Sequence, residues 1–258
     1  MEPRLLIFIF TLCFFSCFEV ILGRRVDPNA SSERLGRKLS NILILVIGTI
    51  FSLLLIRLAP VASSNLASSY NFGLFNYFDA PAYLKTGVGI ILLDLVIYFQ
   101  HRAFHYFEFL WRFHRVHHLD NFLDATSALR FHPVEIVLSL FIKSLAVVLF
   151  GLSIETILIF EVILSSMAIF NHANLRLSSV VDYYLRFIVV TPNFHAIHHS
   201  PSFQCHNSNF GFNLSLWDYL FKTSRSVGDV DFSNYECGLG NKKENSLKGM
   251  LLIPFKRG

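Results

Sequence analysis

Four apolar runs dominate the chain: Leu5–Leu22, Ile42–Leu58, Tyr83–Phe99 and a long stretch from Val134 to Phe170. The first three approach the roughly 20 residues that cross a bilayer core, and the fourth is long enough for two passes with a break near Gly151–Ser153. Composition agrees. Hydrophobic residues make up 53% of the chain and charged residues only 16%, against about 25% charged in ordinary soluble domains. A backbone in hydrocarbon must satisfy its hydrogen bonds within its own segment, so these runs predict helices. The expected fold is an all-α integral membrane protein with four to five transmembrane helices.

The first run starts near the N-terminus and resembles a secretory signal in position only. Its leading Arg4 stands beside Glu2, Glu19 interrupts it, and the basic segment GRRVDPNASSERLGRK follows it directly. A retained helix is therefore expected. Arg24, Arg25, Arg34, Arg37 and Lys38 separate the first two runs, whereas the stretch from Ala59 to Ala82 holds no Lys or Arg. Positive residues favour the cytoplasmic side. The rule puts the first loop, the end of the third span and everything from Asn171 to Gly258 in the cytoplasm, the last as a helical cap. Every histidine then lies on or near one membrane face. The net charge of +4 is explained by juxtamembrane residues facing anionic head groups and calls for no nucleic-acid partner. Cys13, Cys17, Cys205 and Cys237 show no CxxC spacing and no disulfide framework. The segment Ser63–Asn76 mixes Ser, Asn and aromatics and suits a short helix lying in the membrane interface.

The eleven histidines are not scattered. His101 and His105 are four apart and share a helical face. His114, His117 and His118 form an H-x-x-H-H group, and His195, His198 and His199 form a second. A single such group reads as a solvated helix face; three groups on one side of a membrane read as metal ligands. Their number exceeds the first shell of one ion, so two are implied. No thiolate pair accompanies them, which argues against a structural zinc site. An all-nitrogen set suits iron, copper, nickel or zinc, and zinc occupancy is expected to be possible in a purified sample. On one straight helix His101 and His118 would stand roughly 26 Å apart, so the chain must turn within Tyr106–Leu110, with Trp111 and Phe113 seating a second, cytoplasmic helix.

The motifs H-x-x-x-H, H-x-x-H-H and H-x-x-H-H, within DLVIYFQHRAFH, LWRFHRVHH, TSALRFHPVEI, FNHANLRL, TPNFHAIHHS and NFGFNLSLWDYLFKT, resemble the fatty acid hydroxylase / sterol desaturase superfamily of histidine-box membrane di-iron oxygenases. The resemblance runs from about Asp94 to Thr223. It implies two Fe ions, O2 as co-substrate, and hydroxylation or desaturation of a C–H bond in a lipid such as a fatty acyl chain or sterol. It carries over His101, His105, His114, His117, His118, His195, His198 and His199 as metal ligands. His172, in FNHAN, is a ninth candidate, whose other reading is a histidine hydrogen-bonded at a helix end. His132, before Pro133, is expected to support the site or the helix rather than to ligate, and His206 to be polar surface. Asp94, Asp124, Asn174 and Asp218 are candidates for holding the second ring nitrogen of a ligand.

The implied domains are N-terminal membrane helices and an interfacial loop at 1–82, a histidine-box catalytic domain at 83–225 and a cytoplasmic tail at 226–258. No haem-binding signature of the cytochrome b5-like domain found in some relatives occurs, so the expected electron donor is a separate ferredoxin or cytochrome b5 with its reductase. Two other readings remain at this level. One is a di-metal membrane hydrolase acting on a lipid, with water activated instead of O2. The other is a non-catalytic metal-binding membrane protein, which should show polar residues along a path through the spans.

Overall fold

The computed structural model describes residues 3–27, 30–55, 59–226, 236–240 and 244–256. Among these residues five helices are long and apolar enough to cross a membrane: α1 (Pro3–Leu22), α2 (Ser31–Leu54), then, after the short α3 (Pro60–Ser69), α4 (Ala82–Tyr106), and beyond α5 (Glu108–His118), α6 (Pro133–Phe150) and α7 (Ile154–His172). The second apolar run is helical as far as Leu54, and residues 56–58 lie outside the described part. Short helices follow: α8 (Ser179–Leu185), α9 (Pro192–His198), α10 (Phe203–His206), α11 (Leu216–Leu220) and α12 (Leu247–Leu252). Isolated bridges such as Val189 with Leu214 are the only β pairing among the described residues. Of the expected tail at 226–258, residues 227–235, 241–243 and 257–258 fall outside the description.

Local signals set the boundaries. The break expected near Gly151–Ser153 is made by Gly151 in the left-handed region, φ 67°, followed by Ser153, whose side chain accepts from the Thr156 N–H and opens α7. Gly151 also touches the backbone of Gly73 so closely that a Cβ on Gly73 would overlap it. Ser178, Thr191 and Ser246 cap α8, α9 and α12 in the same way as Ser153. The expected turn between the first histidine groups is a single residue. Phe107, with extended φ −91° and ψ 119°, ends α4 and begins α5.

In the bundle, α1 packs on α7, α2 on α6, and α4 against both α6 and α7. Leu93, Ile97, Val147, Ile157 and Phe160 form the main buried cluster between α4, α6 and α7. The outer faces carry exposed Phe10, Phe14, Leu54, Val88 and Leu149, as expected of helices surrounded by lipid. α3 is the short helix expected at Ser63–Asn76, but it is not merely interfacial. Ser63, Ser64 and Ala67 are buried against the bundle, and Ser64 donates to the Leu152 carbonyl.

The ends of α1, α4 and α7 and the starts of α2 and α6 meet at one end of the bundle, under a cap of α5, the 3-10 turn Ala125–Leu129 and the helices after α7. Glu19 of α1 accepts from the backbone N–H groups of Ala125 and Asn174, both at 2.7 Å. Arg37 of α2, 1% exposed, donates to both oxygens of Asp120 at 3.2 and 3.0 Å, to the Phe122 carbonyl at 3.0 Å and to Asp124. Asn41 donates to Asp120 and Thr126. A buried guanidinium with both terminal nitrogens bonded thus pins the loop that follows His118.

Candidate metal centre

Nine histidines converge beneath the cap as two adjoining groups. His101, His105, His114, His118 and His198 form one; His117, His172, His195 and His199 form the other. Within each, one ring nitrogen per residue lies within 4.8 Å of all the others. Helical geometry explains the partition. Residues four apart differ by about 40° around a helix, and adjacent residues by about 100°. The pairs 101/105, 114/118 and 195/199 therefore stay together, while His117 and His198 turn away to the neighbouring group. Each H-x-x-H-H motif serves both groups, two rings to one and one to the other.

The second ring nitrogens fix the tautomers. Nδ1–H of His101 donates to the Phe210 carbonyl at 2.8 Å, that of His198 to the Ser208 carbonyl at 2.8 Å, and that of His172 to the Ala168 carbonyl at 2.7 Å. A carbonyl only accepts, so Nδ1 carries the proton and Nε2 a lone pair. His114 donates from Nδ1 to Oε1 of Glu135 at 2.6 Å. The lone pairs of His101 and His114 consequently face each other, Nε2 to Nε2, across 3.1 Å. Two acceptors at that distance repel unless a cation lies between or beside them. In the second group, His172 Nε2 is 3.0 Å from that of His117 and 3.1 Å from that of His195, which is 3.1 Å from that of His199. Donors held about 2.1 Å from one ion at near-right angles stand about 3 Å apart, so these spacings fit a shared metal.

Nδ1 of His117, His195 and His199, whose Nε2 atoms face the second group, is buried without a hydrogen-bond partner. Both nitrogens of His105, and Nε2 of His118 and of His198, are buried without a hydrogen-bond partner. Burial first, and neighbouring imidazoles second, hold His117, His118, His195, His198 and His199 well below the ordinary histidine pKa. They are neutral at pH 7, the form that binds metal.

The fatty acid hydroxylase family model matches residues 86–223, more than half of the chain and all nine of these histidines. The chain belongs to the fatty acid hydroxylase family. Its relatives include the ornithine lipid hydroxylase OlsE of Rhizobium tropici, 26% identical over 177 residues, 69% of this chain and 52% of that protein. Human alkylglycerol monooxygenase is 26% identical over 160 residues, 59% of this chain and 33% of that protein. The very-long-chain aldehyde decarbonylase GL1-5 of Oryza sativa subsp. indica is 25% identical over 169 residues, 60% of this chain and 26% of that protein. The chain thus spans about half the length of the first of these and a third or less of the other two. No solved structure matches it.

In this fatty acid hydroxylase family member, the polar residues expected to hold the histidines act one step further out. Asp218 accepts from the N–H groups of Phe210 and Gly211 at 2.8 and 2.7 Å, which turns the Phe210 carbonyl towards His101. Asp94 accepts from the Asn213 and Leu214 N–H groups and from the Trp217 indole, anchoring the same loop to α4. Asp124 belongs to Arg37, and Asn174 pairs with the backbone of Arg25. None of the four touches a ring of the two groups; backbone carbonyls and Glu135 do, because the cap loop passes closer to the rings than these side chains can. Glu135 went unread in the sequence, although it lies one turn beyond His132-Pro133 at the start of α6. His132 caps that helix, its Nδ1 accepting from the Val134 N–H, and stays outside both groups. His206, expected as polar surface, is half-buried with its ring stacked on Trp111 at 5.6 Å and 14°, beside His105.

Proposed function

We propose that the chain is a membrane oxidoreductase that hydroxylates or desaturates a C–H bond of a lipid with O2, through two irons held by the histidines. The observation that carries this reading is the pair of lone pairs facing across 3.1 Å at His101 and His114. His101, His105, His114, His118 and His198 would hold one iron, and His117, His172, His195 and His199 the other. Nitrogen ligands also accept zinc, so purified protein can carry it in iron's place. When bound, the irons supply the redox chemistry that activates O2.

The chain's own residues do the rest. Glu135 and the carbonyls of Phe210, Ser208 and Ala168 retain the Nδ1 protons and aim Nε2 inward. Burial of the rings excludes bulk water from the reacting carbon. A cavity bordered by His101, His114 and Glu135 and otherwise mainly by apolar side chains gives a lipid access from the bilayer. Hydroxylation consumes O2, two electrons and two protons, and leaves one oxygen in the product and one in water; desaturation leaves both in water. The electrons come from a ferredoxin or cytochrome b5 type carrier and its reductase. Arg24, Arg25, Arg34, Arg37 and Lys38 lie at the capped end, which supports a cytoplasmic site. The catalytic unit is assigned to 83–225, between membrane helices at 1–82 and a tail at 226–258. The relatives' names, a lipid hydroxylase and an alkylglycerol monooxygenase among them, support a lipid substrate.

The test is comparative lipidomics under 18O2 of cells carrying the intact protein or its His117→Ala variant. A lipid that gains 18O, or two hydrogens' worth of unsaturation, only with the intact protein is expected. Identical profiles under aerobic, iron-replete growth overturn the oxygenase reading, and lipid hydrolysis that persists without O2 replaces it with a hydrolase.

A further inference from the structure

The cavity at His101 and His114, about 160 Å³, adjoins a larger one of about 540 Å³ that opens between α1, α2, α6 and α7. Phe131, Ile136, Leu140, Lys143, Leu164 and Phe212 line both, so the two form one passage. Its middle is apolar. Its far end is not: Arg4, Lys143 and Glu161 meet there, with Nζ of Lys143 3.2 Å from Oε1 of Glu161 and Nη1 of Arg4 3.0 Å from Oε2. Lys143 lies eight residues beyond Glu135 on α6, and Glu161 eleven before His172 on α7, so the charged end is about 12–16 Å from the histidines along the helices.

Charged side chains at such depth within spanning helices are costly and are kept for pairing or for function. Here two cations share Glu161, and all three groups border a cavity instead of packed core. The Lys143 ammonium, with its side chain 12% exposed, has three N–H donors and gives one to Glu161. Its surplus donors border a passage whose other walls are mainly apolar, with Gln100, Ser139, Thr49, Ser52 and Ser165 the polar residues among them.

We propose that this end is a subsite for the carboxylate of a single-chain lipid acid, whose alkyl chain runs along Phe131, Ile136, Leu140 and Leu164 towards His101 and His114. The carbon delivered to the histidines is then on the order of ten carbon–carbon bonds from the carboxylate. Binding at the subsite is independent of the oxygenase reading; only the meaning of that distance rests on it.

The test uses the full chain in nanodiscs and the fluorescence of cis-parinaric acid, an eighteen-carbon polyene, against its methyl ester. Wild type is expected to bind the acid at least tenfold more tightly than the ester. Lys143→Met should abolish that preference while ester binding is unchanged, and Lys143→Arg should restore it. Glu161→Gln, which removes the competing carboxylate, should keep the preference. Equal affinity of wild type for acid and ester overturns the proposal without any variant. Equal loss of acid binding in Glu161→Gln and Lys143→Met also overturns it, in favour of a staple between helices. His117→Ala should retain the preference while losing oxidation, and wild type that binds the acid yet oxidises no lipid counts against the oxygenase reading alone.

Discussion

Nδ1 of His114 donates to Oε1 of Glu135 across 2.6 Å, and both side chains are buried. This carboxylate is the only side chain among the described residues that bonds the outer nitrogen of a ring in the two histidine groups; the other outer bonds go to backbone carbonyls. A carboxylate in that position fixes the ring and raises its basicity. Glu135→Ala is therefore expected to weaken metal binding at the five-histidine group by roughly 10–100-fold and to spare the four-histidine group. Competitive chelation followed by metal analysis should show one ion lost early and the other retained. Simultaneous loss of both ions at the wild-type chelator concentration would contradict this role.

His117 and His118 are adjacent in sequence but serve different groups. Each single alanine variant should retain about one metal ion of two, and the double variant almost none, given that each group contributes its own donor set. His132→Ala should retain both and lose only its helix cap, about 1 kcal/mol of stability. Metal-to-protein ratios and melting temperatures check the three cases together.

Arg37 joins α2 to Asp120 and Asp124 in a fully buried network. Arg37→Met leaves Asp124 with Lys38 at 3.6 Å and Asp120 with Arg130 at 3.9 Å as remaining cations, and should destabilise the protein by up to roughly 3–5 kcal/mol. Thermal unfolding in detergent reads the loss, and Arg37→Lys should recover part of it. A melting temperature within a degree or so of wild type for the methionine variant would rule the network out as a main support of the cap.

Burial pushes the Asp218 carboxyl up to about 6, against the opposing bonds from Thr223, Gly211 and Phe210. The folded protein then holds this proton more tightly than the unfolded chain does. Its contribution to stability grows as pH falls from about 6 towards 3.8, is complete below that, and is absent above 6. Asp218→Asn should remove this segment from the stability curve. Because Asn has one acceptor oxygen for three donors, it should also loosen the Phe210 carbonyl that holds His101. The difference between wild-type and variant melting temperatures should change between pH 5 and 7; a constant offset sinks the assignment.

Much of this protein is written locally. Apolar runs of bilayer length determined the five long helices, and Gly151 with Ser153 determined the break in the longest run, because backbone hydrogen bonding in lipid and helix capping act within one segment. The same holds for the recurring histidine spacings and for the turn at Phe107, since one straight helix cannot bring His101 to His118. What the sequence by itself could not determine is which ring joins which group, and what holds each ring. His117 joins His172 from 55 residues away, and Phe210 supplies the carbonyl for His101 from 109 residues away. Glu135 reaches His114 only because α6 packs beside α5, and Lys143 reaches Glu161 only because its side chain extends from α6 to α7. Those partnerships depend on where separate helices cross and where the cap loop returns. A residue spacing does not encode that; packing of the whole bundle does.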